Sequence, residues 1–120
     1  MHATVADFAK DSVVYNITGC SKTELENKLN LFFSSENLVL KTDTADEKIF
    51  IRGNKVMRVL FGAFVKYFKI SVSIRNEKDL FSVRLLRDMS LILSGGLIGI
   101  KASRKEFERI NEAFKAFFNN

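Results

Sequence analysis

The chain has 120 residues, 47% hydrophobic and 28% charged, with 12 Phe, which is one domain's length with enough apolar material for a packed core and excludes a disordered chain. A single cysteine, Cys20, excludes an intrachain disulfide and a Cys-based zinc site, and a single histidine, His2, leaves no set of partners for a His-ligated metal or a Ser-His-Asp triad. The net charge is +5, and Pro and Trp are absent.

Val13 to Ile17 is apolar and β-branched enough to be a first strand, preceded by residues 1–10 as a flexible start. Ser21-Lys22-Thr23-Glu24 then has the S-x-x-E spacing of a capping box, in which Ser and Glu satisfy each other's backbone N–H. Leu25, Leu29, Phe32 and Phe33 follow on one helical face, so the spacing predicts a helix over 22–34. Leu38–Thr42 reads as a strand. Ile49, Phe50 and Ile51 run into Gly53-Asn54, a hairpin signal before a second apolar run.

Residues 56–67 admit two readings. Met57, Leu60, Phe61, Phe64 and Phe68 match a helical face, but Gly62 disfavours a helix by about 1 kcal/mol relative to Ala. Val56, Val59 and Val65 favour strand, so Val56–Phe61 is taken as a strand and Gly62–Tyr67 as a bend. Phe68, Ile70, Val72 and Ile74 alternate with polar residues, as do Phe81, Val83 and Leu85, and Asn76–Asp79 is the turn of that hairpin. Gly95-Gly96 marks a loop or bulge. Ser103-Arg104-Lys105-Glu106 repeats the capping-box spacing, and Phe107, Ile110, Phe114, Phe117 and Phe118 line one face of a helix over 104–118.

The predicted order is β-α-β-β-β-β-β-α in one α+β domain over residues 1–120. It implies a curved antiparallel sheet with two helices packed on one face. This topology resembles the helix-grip and TATA-binding-protein-like arrangements, a likeness of topology over nearly the whole chain that implies a fold and no function.

Charge divides unevenly along the chain: −4 over residues 1–47, +8 over 48–87 and +1 over 88–120. If the apolar sets of the strands face the helices, Lys69, Arg75 and Arg84 face outward with Ser71, Ser73 and Ser82. With Arg58 they are the candidate set for nucleic acid or another polyanion. Sheet-face readers of single strands also use outward aromatics; here the aromatics fall mostly on the inward set, so nucleic acid is not the favoured partner.

Other signals are weak. Asp43, Asp46 and Glu47 read as a solvated acidic turn, not a calcium loop. Gly95-Gly96-Leu97-Ile98-Gly99 lacks the spacing of a phosphate loop, and Ser103, placed at a helix start beside Lys101 and Arg104, could present N–H groups to an anion or simply cap. Cys20 beside the first capping box could be acidified by the helix N-terminus, but with no His in reach to act as base it reads as a structural or incidental thiol. No cofactor, no metal and no catalysis are expected. Residues 1–10 lack a signal-peptide core, and the apolar runs 59–65 and 89–100 are too short to span a bilayer, so no transmembrane segment and a cytoplasmic location are expected.

The expected function is a non-enzymatic binding or interaction module. A small apolar ligand would sit between sheet and last helix, against Phe61, Phe68, Phe81, Phe107 and Phe114, although the same rings can instead fill the core. Phe117-Phe118 near the end offers an exposed patch for a homo-oligomer.

Overall fold

The structure, a computed structural model, describes residues 1–44, 46–52, 68–88 and 96–120, without the side chains of 96–100 and 102. Its elements are β1 (His2–Phe8), β2 (Ser12–Thr18), α1 (Lys22–Ser35), β3 (Val39–Asp43), β4 (Glu47–Arg52), β5 (Phe68–Asn76), β6 (Phe81–Arg87) and α2 (Gly96–Phe118). The strands form one antiparallel sheet in the order β1-β2-β6-β5-β4-β3, so the described residues make an α+β fold of six strands and two helices. The expected strand 56–61, the Gly53-Asn54 turn, the 62–67 bend, Gly95, Arg58 and Phe61 lie outside the described residues.

Alternation decides which face is buried. Val13, Tyr15, Ile17, Phe50, Phe68, Ile70, Val72, Ile74, Phe81, Val83 and Leu85 are all buried, and the ladder register sets them on one side. Both helices cover that side. Phe33 of α1 stacks on Phe50 at 4.4 Å between centroids, and Phe114 of α2 lies 4.6 Å from Tyr15. The helices meet through Phe32 and Phe114, edge to face at 5.3 Å. Such aromatic pairs add roughly 0.5–1.5 kcal/mol each beyond the area they bury.

The ends of α1 follow from its sequence. Ser21 Oγ accepts from the Glu24 N–H, and the Glu24 carboxylate accepts from the Ser21 N–H, which closes the predicted capping box. At the other end Asn37 takes a left-handed φ of 63°. Its N–H donates to Ser34 and that of Leu38 to Phe33, the paired bonds of a Schellman ending, with Leu38 and Phe33 both buried.

Three expectations are corrected. Residues 2–8 are a strand, not a flexible start: β1 pairs with β2, and Asn119 clamps its beginning by accepting from the Ala3 N–H and donating to the Ala3 carbonyl. The last helix begins at Gly96, so Ser103 is not a cap but a fully buried residue inside α2 whose Oγ has no hydrogen-bond partner. Glu106 turns to two guanidinium groups instead, stronger partners than a backbone N–H. Phe118 is fully buried and stacks on Phe114 at 4.3 Å, and Phe117 packs partly buried beside it, so the terminal pair is core and not an exposed patch. The Cys20 thiol, read from the sequence as structural or incidental, is pushed up by burial first and then by Glu24.

A groove between the edge strand and the last helix

β1 is an edge strand, and it carries a bulge between Val5 and Asp7. In an unbroken strand residues 3, 5 and 7 would share a face and 8 would lie on the other. The extra residue resets the phase, so Phe8 pairs with Val13 on the helix side and Asp7 pairs with Val14 on the outer side. Phe8 is therefore aimed at the face that elsewhere forms the core, yet it is 74% exposed, and Val5 is 46% exposed.

β1 is tied at Ala3 to Asn119, just past the end of α2. Further along, the Tyr15 hydroxyl donates to Asn111 Oδ1 at 2.5 Å, and Asn111 Nδ2 donates to the Phe107 carbonyl. Beyond that point the side chains of Val5, Phe8, Val13 and Phe107 line an open cavity of about 620 Å³. Strand and helix run antiparallel, which brings Phe8 and Lys10 opposite the turn of α2 that carries Arg104 and Lys105. Burial, and after it the nearby Glu112, raises the Tyr15 phenol well above its usual range, so it stays a neutral donor.

The Phe8 end of the groove is cationic, with Lys10, Arg104 and Lys105 against Glu108; on the Asn119 side of Asn111, Lys115 takes up Glu112 at 2.8 Å. Arg109 also borders the groove but is committed to Glu106 and Glu36. Arg104 makes no ion pair among the described residues, and its buried Nε has no hydrogen-bond partner. An apolar floor with an unpaired guanidinium at its open end can hold a molecule that is apolar along its length and anionic at one end.

Of the described candidates for facing a ligand, Phe107 alone borders this groove. Phe68 and Phe114 are fully buried, and Phe81 lies in the same core cluster. Val5, Phe8, Val13, Tyr15 and Asn111 are lining residues that sequence reasoning missed.

The basic segment 48–87 divides between the two faces. Lys48 and Arg52 share the inward phase of Phe50, and Arg87 that of Leu85; all three are buried. Arg52 donates to Glu106 at 2.5 Å and to the Glu36 carbonyl, and Arg109 bridges Glu106 to the Glu36 carboxylate. Burial alone would raise the Glu106 pKa, but hydrogen bonds from Arg109 and Arg52 outweigh it and hold the carboxyl below its ordinary value. Lys48 pairs with Asp43 and Glu26, which raise its pKa against the lowering effect of burial, and Arg87 pairs with Asp11. Asp46 of the acidic turn lies 4.0 Å from Lys22. Lys69 is outward but paired with Asp88 at 3.2 Å; Arg75 and Arg84 are outward and exposed.

No protein-family model matches the chain, and no curated protein matches it significantly. Among the described residues no helix is long and apolar enough to cross a membrane.

Proposed function

We propose that the protein is a non-catalytic binding module whose groove between β1 and α2 takes an elongated apolar molecule with an acidic head. The observation that carries this reading is Phe8: a bulge turns it to the core side of the sheet, and no other described side chain covers it. A bulge disrupts the ladder locally, and such features cluster where a side chain has to be re-aimed. The apolar part of the ligand lies on Val5, Phe8, Val13 and Phe107, and the head is received by Arg104, with Lys10 and Lys105 adding to the local potential.

The test is a fluorescence titration with 8-anilinonaphthalene-1-sulfonate, an apolar anion of suitable size. Saturable one-to-one binding is expected, weakened about ten-fold or more by Arg104→Glu, through loss of a charge-assisted contact, and by Phe8→Glu. Binding that is unsaturable, or unchanged in both variants, contradicts the proposal.

A further inference from the structure

On the opposite face of the sheet, Ser73 pairs with Arg84 and Arg75 pairs with Ser82 across the β5–β6 ladder. All four point away from the helices, because their neighbours Val72, Ile74, Val83 and Leu85 are the buried set. The result is a square with the two arginines on one diagonal and the two serines on the other. Diagonal positions on one sheet face lie about 7–8 Å apart at their Cα atoms, within joint reach of one anion for long side chains.

Among the described residues neither Arg75 nor Arg84 has a carboxylate within ion-pairing distance, whereas Arg52, Arg87 and Arg109 each have at least one. Two like charges placed diagonally on central strands repel, and they make no contact that a folded core requires. The square lies in a concavity of about 770 Å³ that runs from Asp7 on β1 to Asp46 and Glu47 at the start of β4. The register row Asp7–Val14–Arg84–Ser73–Glu47 thus crosses the face with its positive charge in the centre and a carboxylate at each end.

We propose that this square is a second binding site, for a small phosphate monoester with a hydroxylated carbon frame. The two guanidinium forks and the two serine hydroxyls supply donors to the phosphate oxygens. Glu47, directly opposite Ser73, accepts from a hydroxyl of the frame; Asp7, two strands beyond Arg84, is out of reach of so small a molecule. Asp7 and Glu47, at the two ends of the row, disfavour a long polyanion laid across the strands, and the described outward residues of this face include no Phe, Tyr or Trp on which a nucleobase could stack.

Amide chemical-shift titrations locate and rank the ligands. Glycerol 3-phosphate is expected to shift Ser73, Arg75, Ser82 and Arg84 saturably and to bind more tightly than inorganic phosphate. Arg84→Gln and Arg75→Gln, both exposed substitutions, should each raise its Kd about ten-fold, the loss of one charge-assisted contact. Glu47→Gln should weaken glycerol 3-phosphate while leaving inorganic phosphate unchanged or tighter. No saturable shift at this square, or equal response to phosphate, sulfate and the ester, overturns the proposal. A thymidine oligonucleotide that binds more tightly than the ester, with affinity rising with length, overturns it in favour of a polyanion.

Discussion

Phe8 and Val13 stand opposite each other on the helix side of the β1–β2 ladder, yet Val13 is 3% exposed and Phe8 is 74% exposed. The difference measures how far α2 reaches over the sheet: it covers β2 and stops short of the end of β1. Phe8 therefore contributes little to the core, and its aim has to be explained by something outside the described fold.

Stability measurements separate the two roles. Val13→Ala should cost about 2 kcal/mol, from two buried methyl groups and the space they leave. Phe8→Ser should change stability by less than about 0.5 kcal/mol, as at most exposed positions. Urea unfolding of both variants checks this, and a comparable loss at Phe8 would make it a residue of the fold rather than of the site.

The buried cations should respond differently to the same substitution. Arg52→Met leaves Glu106, itself 7% exposed, charged and short of a partner, for a cost of about 3 kcal/mol. Lys48→Met leaves Asp43 and Glu26, which reach water at 51% and 32% side-chain exposure, so about 1 kcal/mol or less should be lost. Equal losses in thermal or urea unfolding would show that Lys48 is as tightly bound into the core as Arg52.

Glu106 also gives the stability a pH dependence of known sign. Its carboxyl is held below the ordinary 4.5 in the folded protein. A carboxyl depressed by folding stabilises above its unfolded pKa, and that contribution is lost as pH falls through the folded value. Glu106→Gln should therefore be less stable than wild type at pH 7, with the gap narrowing below about pH 4.5. A gap that is constant with pH, read from urea midpoints, would remove Glu106 from the acid response.

Asn37 occupies the left-handed region at the end of α1, where glycine has no Cβ cost. Asn37→Gly should leave the protein as stable or more so by up to about 0.5 kcal/mol. Asn37→Val should cost roughly 1–2 kcal/mol, since a β-branched residue resists that conformation. The pair of melting curves reads the sign directly.

How much of this was legible in the sequence depended on whether the signal was local. The capping box at Ser21 and the spacing of Leu25, Leu29, Phe32 and Phe33 specify α1 by themselves, and the alternations from Phe68 and Phe81 specify β5 and β6. β4 was ambiguous in phase, because Ile49, Phe50 and Ile51 are all apolar; only the ladder shows that Phe50 points inward and takes Lys48 and Arg52 with it. Arg87 could have been read, since it continues the phase of Val83 and Leu85.

β1 was missed because its bulge breaks the alternation of Ala3, Val5 and Phe8, and the groove depends on β1. Ser103 misled for the opposite reason. Its S-x-x-E spacing is a true local pattern, but Arg52, brought in from β4, competes successfully for Glu106.

The central claim is tested most directly by a native mass spectrum of the intact protein incubated with equimolar hexadecanoate, beside Phe8→Glu under the same conditions. The groove predicts a one-to-one adduct on the wild-type chain that Phe8→Glu abolishes while its charge-state distribution stays that of a folded protein. A bare wild-type mass, or an adduct equally abundant on both proteins, would contradict the assignment of the groove.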